Sequence, residues 1–358
     1  MGPRVAPTSQ EKPKQNGPMP CLFIVPPTAV DQPIASGTVA DCLMLVPDGR
    51  RWDLFEVVLS SGSFVPIKTD LYVRDVIPLA FTRTYRPIDD WSERFQVYLA
   101  NVYDPFLSGD RNPYTYLTWL LPDGNGVYYR RITSGTGYAD AVYEDALLFP
   151  VFEGSRVAWN GNGWDLSLAD GTTYLSPEAY YATRPQQGSL LAIFDKDGHE
   201  VRLSRKHNGD LTEIKSPNGR WVRLTYDAGH ISRAADSLGN TVNYTYDLQH
   251  RLQTARDSHG QTTGYIHDYA NRILKITDAT GRILLENGYD DDGRILDLLL
   301  PDGGSYYFKY FIDEKKPTGH VDIIDPKGGV TRVTLHAKRG EDRPFYTVEK
   351  LSSAPPHP

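Results

Sequence analysis

Between Gly219 and Gly303 the sequence sets Asp beside an aromatic ring or an imidazole at recurring intervals: Tyr226-Asp227, Tyr246-Asp247, His267-Asp268 and Tyr289-Asp290, with Asp236, Asp257 and Asp278 between them. Carboxylates beside phenols and imidazoles are the groups of acid/base catalysis and of metal ligation. Two Asp-rich stretches, Asp195 to Gly198 and Asp290 to Gly293, invite a calcium reading. Neither has the full D-x-[DN]-x-[DN]-G loop with its distal Glu, and turn chemistry accounts for both. His230, His250 and His267 occupy equivalent or nearby slots of a repeat rather than converging, and the chain has no HExxH and no paired-Cys zinc spacing. G-x-S-x-G, P-loop and Rossmann glycine patterns are missing too. The expectation is therefore no catalytic residue, no metal, no cofactor and no enzyme.

The elements that carry these residues repeat. Gly219, Gly239, Gly260, Gly281 and Gly303 are 20, 21, 21 and 22 residues apart, a regularity that sets architecture before any local assignment. After each of the first three glycines, positions +3, +5 and +7 are Val222, Leu224 and Tyr226, then Val242, Tyr244 and Tyr246, then Thr263, Tyr265 and His267, with mostly polar residues between. A period of two is that of a strand with one buried face. The Asp and the Gly, His or Asn cluster after it make a tight turn. The return strand spaces its apolar residues by three (Ile231 and Ala234, Leu252 and Ala255, Ile273 and Ile276, Ile295 and Leu298), which predicts a bulge.

Gly, then Tyr-x-Tyr-Asp-x-x-Gly-Arg-Leu, then Asp-x-x-Gly at about 21 residues resembles the YD repeat of the Rhs family, which is shared by bacterial Rhs toxins, insecticidal toxin-complex cocoon proteins and the animal teneurins. Tyr244-Thr245-Tyr246-Asp247 with His250-Arg251-Leu252 is the best copy. Ser63 to Leu71 and Pro78 to Tyr85 resemble the signature of the domain that often precedes bacterial Rhs repeats, with Arg83 and Tyr85 at its end. The bland reading of Arg83 is an ion pair or a stacking partner for an aromatic ring. The resemblance implies a wall of a hollow β-shell, in a secreted or cell-surface toxin or contact system. Its partners would be the remainder of a shell or a toxin or effector polypeptide. Rhs toxins also carry a self-cleaving aspartyl protease segment, which Asp325-Pro326-Lys327-Gly328 faintly echoes; the same letters end an ordinary YD unit, and no catalytic residue is carried over.

Composition agrees with strands and turns: among 358 residues, Tyr (23) and Gly plus Pro (31 and 26) are frequent, a mix that disfavours long helices. With a net charge of −7 and no basic face, nucleic acid is not an expected partner. No apolar run reaches the 18 residues of a membrane span, and no signal peptide is recognisable. Residues 1–38 read as a disordered arm. Cys21 and Cys42 could pair, and nothing in the sequence decides their redox state. Trp119 and Trp164 are candidates for stacking on sugars, against the alternative that they pack in the core.

The expected protein is all-β. After the arm come an N-terminal β domain at 39–164, a spiral sheet of about 21-residue β-hairpin repeats at 165–338 forming part of a β-shell, and a tail at 339–358, with an exposed edge near 330 to 340. The expected signature residues are Gly219, Gly239, Gly260, Gly281, Gly303, Tyr226, Asp227, Tyr246, Asp247, Asp268, Tyr289 and Asp290. The function expected is a non-enzymatic scaffold, a part or remnant of an Rhs-type shell; the alternative is a glycan-binding or adhesion module. About 14 strands at ~4.8 Å make a ribbon about 65 Å wide, which closes to a diameter of about 20 Å. That is less than the 30 Å or so that a folded 100-residue cargo needs.

Overall fold

The computed structural model describes residues 57–59, 61–85, 99–111, 113–121, 126–145, 152–312, 318–336 and 345–351. The arm at 1–38, Cys21, Cys42 and the turn signal at Pro122 to Gly124 lie outside the described residues.

The protein is all-β. At the N-terminal side, β1 (Val57–Val58) pairs with β2 (Ser63–Phe64), and β3 (Ile67–Val73), β4 (Leu79–Tyr85) and β5 (Leu99–Asn101) form a three-stranded antiparallel sheet. From Phe106–Gly109 to Phe345–Leu351, 22 strands follow, each antiparallel to the next in chain order. Among the described residues no register joins the first of these strands to the last, so the sheet is an open spiral of hairpins and not a closed barrel. A 3-10 turn spans Pro185–Gly188.

Why these residues make this sheet is clearest in the repeats. In the strand Trp221–Asp227, Val222 and Leu224 are buried while Arg223 and Thr225 between them are exposed. The bulge expected on the return strand is present. Tyr246 pairs with Leu252 but Thr245 pairs with Thr254, so Gln253 is the extra residue. The same shift occurs at Tyr226, His267 and Tyr289. By skipping one residue, the bulge returns Leu252 and Ala255 to the same buried face despite their spacing of three.

Two features differ from the sequence reading. Val330–His336 is not the last strand: Phe345–Leu351 pairs with it along all seven residues, so the region expected as an exposed edge near 330 to 340 is internal to the sheet. Phe-Tyr-Thr-Val in the expected tail has the aromatic and β-branched composition of a strand; the charged run from Lys338 to Arg343 obscures it in the sequence. The sheet also starts earlier, at Phe106, and the expected division at 164 and 165 falls inside the strand Gly163–Ser167, which is paired on both sides. One hydrophobic core runs through the docked N-terminal strands and the whole hairpin array, from Val57 and Phe81 through Trp119, Leu166 and Ile214 to Leu298 and Val333.

Candidate functional site

The Tyr-Asp pairs converge on a turn. In Asp247 to Arg251, His250 N–H donates to the Asp247 carbonyl (2.9 Å), and Asp247 N–H donates to the Arg251 carbonyl (2.9 Å). The Asp247 carboxylate then closes the loop: Oδ1 accepts the Gln249 and Arg251 N–H groups (both 2.9 Å), and Oδ2 accepts Arg251 Nε (2.7 Å). Asp268 with Arg272 and Asp290 with Arg294 repeat this set. The fourth residue of each turn takes a left-handed backbone, supplied by Gly293 (φ 81°) but also by His250 (φ 63°) and Asn271 (φ 64°). Asp227 differs: it pairs with His230 across the two-residue turn Ala228-Gly229. The Asp-x-x-Gly ends at Gly239, Gly260 and Gly281 use the same Asp-closed turn as Asp247, whereas Gly219 and Gly303 turn on Ser216 and Leu300.

This geometry decides what the carboxylates can do. Burial works against the charge on Asp247, yet the Arg251 N–H, the Arg251 guanidinium and the Gln249 N–H outweigh it and hold the carboxyl below its ordinary range. Such a group is a poor proton donor or acceptor near neutrality. Asp195, Asp197 and His199 bring ligand atoms within 4.8 Å of one another. They are the same turn, with His199 Nδ1 on Asp195 Oδ2 (2.8 Å) where Arg251 Nε stands in the best copy.

The tyrosines join one hairpin to the one before. Tyr226, Tyr246 and Tyr289 hydroxyls donate to the carbonyls of Leu211 (2.9 Å), Ile231 (2.8 Å) and Ile273 (2.8 Å). Burial raises all three phenols, so they stay protonated donors. The guanidinium of the preceding turn lies over the next ring, Arg272 on Tyr289 at 4.3 Å and Arg294 on Tyr310 at 5.0 Å. Two slots depart from the pattern: the Tyr310 hydroxyl and His267 Nε2 are buried without a hydrogen-bond partner.

A second polar cluster anchors β3 and β4 on the buried face of the repeats. Arg83 Nε donates to Asp70 Oδ2 (2.6 Å), Arg83 Nη2 to the Tyr265 hydroxyl (2.8 Å), and the Tyr244 hydroxyl to Asp70 Oδ2 (2.6 Å). Both charged side chains are about 5% exposed. Burial opposes the charge on Arg83, and Tyr265, Asp70 and Tyr244 more than restore it, so the guanidinium stays charged. Around this pair, Asp75 accepts Ser216 Oγ (2.5 Å) and Asn218 Nδ2 (2.7 Å), Tyr85 donates to the Asn271 carbonyl (2.6 Å), and Ile295 N–H donates to the Gly62 carbonyl (2.8 Å). The N-terminal strands thus touch successive hairpins from Ser216 to Ile295. Further along, Arg205 occupies the tyrosine slot and reaches Asp104 Oδ1 (2.9 Å) and the Tyr103 carbonyl.

Trp119 and Trp164 do not offer a sugar platform. Trp119 is fully buried against Tyr174, and Trp164 is packed by Tyr143 and Trp159 with its N–H on Glu178 (2.8 Å). Their faces meet other rings instead of solvent. The sequence reading gave no role to Asp70 or to the arginines of the turns, although both lie in the quoted motifs. The latter were visible as a spacing of four after each Asp; the former needs a contact 174 residues distant.

Residues 246–283 match the family model described as RHS Repeat. No curated protein matches the chain. Among solved structures, the crystal structure of TcdB2-TccC3-Cdc42 is similar at 13% identity and a TM-score of 0.33, covering 80% of this chain and 16% of that one. The crystal structure of TcdB2-TccC3 is similar at 13% and 0.33, covering 81% and 17%. The Photorhabdus luminescens Tc holotoxin pore gives 13% and 0.32, covering 76% and 15%. The chain spans about a sixth of the length of these solved chains. Residues 246–283 thus carry an RHS repeat, and the Asp-closed turn of that segment recurs in the hairpins before and after it.

Proposed function

We propose that the protein is a non-enzymatic scaffold, a wall of an Rhs-type shell that associates with a further shell component or a toxin or effector polypeptide. The observation that carries this reading is that Tyr246, Tyr289, Asp247, Asp268, Arg251 and Arg272 are engaged in turn and inter-hairpin bonds along one continuous sheet, which makes the array a built surface. Cross-linking of the intact chain in its native cells, read by mass spectrometry, is the test. A wall is expected to cross-link to one polypeptide at several successive hairpins. Cross-links confined to one hairpin, or hydrolysis of a sugar or peptide bond by the purified chain, would remove the reading.

A glycan-binding role draws support from Tyr116 and Tyr128, which stack at 5.5 Å with both rings exposed. If they bind sugars, glycan-array signal disappears in Tyr116→Ala and Tyr128→Ala. A signal that survives both changes, or no signal from the intact chain, counts against this role.

A further inference from the structure

His267 occupies the slot that Tyr226, Tyr246 and Tyr289 fill elsewhere, and it does something different there. The tyrosines reach a carbonyl of the preceding hairpin, whereas His267 Nε2 is buried without a partner. Its ring instead packs against Tyr85 of β4, with centroids 5.1 Å apart. Tyr85 is itself a docking contact, since its hydroxyl holds the Asn271 carbonyl four residues after His267. The imidazole therefore sits at the seam between the repeats and the docked strands.

The charged groups around the ring come from three elements. Arg251 and Asp247 belong to the preceding turn and are bonded to each other, as are Asp268 of the ring's own turn and Arg272 beyond it. On the docked strands, Arg83 is bonded to Asp70 and to the Tyr265 hydroxyl, and Asp70 also accepts the Tyr244 hydroxyl. All three nearby carboxylates already hold a guanidinium, so a proton on His267 adds a positive charge with no free anion to receive it. In the neighbouring repeats Arg272 and Arg294 lie over neutral tyrosine rings; Arg251 would face an imidazolium.

We infer that His267 makes the docking of β3 and β4 acid-labile: its protonation shifts the local equilibrium toward lifting Tyr85 and the strand that carries it off the repeats. Burial first, and Arg251 second, push the docked imidazole down to about 4 from its ordinary 6.5. Above about pH 6.5 the ring is neutral docked or undocked, and docking has its full stability. Between 6.5 and 4 the undocked state takes up the proton more readily than the docked one, so opening becomes more favourable by up to about tenfold per pH unit. Below about 4 both states are protonated and the effect levels off. The inference rests on the docked geometry and not on the scaffold reading.

Hydrogen exchange of the intact chain from pH 7.5 to 4, corrected for the pH dependence of intrinsic exchange, reads the opening of residues 67–85. Protection is expected to fall across this window in the native chain, and to fall much less in His267→Gln, with His230→Gln behaving as native. An equal fall in His267→Gln, or no fall in the native chain, would overturn the inference. A second measurement does not require that variant to fold: the titration of His267 by NMR in the native chain and in Tyr85→Ala. Because the coupling is reciprocal, the His267 pKa is expected to rise toward 6.5 when Tyr85 is removed; an unchanged value sinks the proposal.

Discussion

Asp70 and Arg83 show how a pair of residues can matter to the fold without doing chemistry. Breaking a buried, hydrogen-bonded ion pair costs about 3–5 kcal/mol, because the remaining charge is left uncompensated. Asp70→Ala is therefore expected to lower stability by that order in chemical denaturation, with the first loss of exchange protection in β3 and β4. Replacing both partners by Leu and Met restores much of the loss if desolvation of the charges is the dominant cost. The inter-hairpin tyrosines make a cleaner comparison. Tyr246→Phe leaves the Ile231 carbonyl without its donor and is expected to cost about 1–2 kcal/mol. Tyr310→Phe removes a hydroxyl that already lacks a partner, and is expected to be neutral or stabilising in the same assay.

At the scale of the hairpin, backbone conformation outweighs space. A side chain on Gly281 would meet no atom within 4 Å, yet its φ of +83° is left-handed. Gly281→Ala is thus expected to destabilise by about 1 kcal/mol with no steric clash, through backbone strain alone. His250 is the converse, a side chain already held at φ 63°. His250→Gly should recover part of that strain, less the loss of the ring's stack on His230 at 5.1 Å. A melting temperature that rises in His250→Gly and falls in Gly281→Ala tests both arguments. The repeat tolerates these differences because its turn is closed mainly by the Asp carboxylate, so the fourth residue is free to vary among Gly, His and Asn.

Over the whole molecule, the number of strands changes the earlier estimate of size. Twenty-two strands at ~4.8 Å make a ribbon about 100 Å wide, against the 65 Å or so expected from 14. Part of the sheet's face is covered by the chain's own segment from Gly62 to Tyr85, which contacts hairpins from Ser216 to Ile295. The terminal strand Phe345–Leu351 covers the edge of Val330–His336, which is otherwise a row of open N–H and C=O groups. Deleting residues 345–351 is expected to make the protein self-associate with increasing concentration in sedimentation velocity. A variant that stays monodisperse would show that this strand has no role in blocking edge pairing.

The sequence by itself determined the repeat, its period, the alternation of its strands, the bulge and the place of each Asp in a turn, because all of these depend on residues within about 20 positions of one another. It also allowed the reading of Trp119 and Trp164 as core residues, although it could not choose between that and sugar stacking, since exposure depends on what else packs there. Only the tertiary structure decided that the sheet begins at Phe106 and ends at Phe345–Leu351, that Asp70 reaches Tyr244, and that Tyr85 lies on His267. These are contacts between segments more than 170 residues apart in the chain, except at the sheet's ends. They follow from the need to cover one long apolar face and to pair every charge buried in doing so, and no local pattern of letters encodes which segment will meet that need.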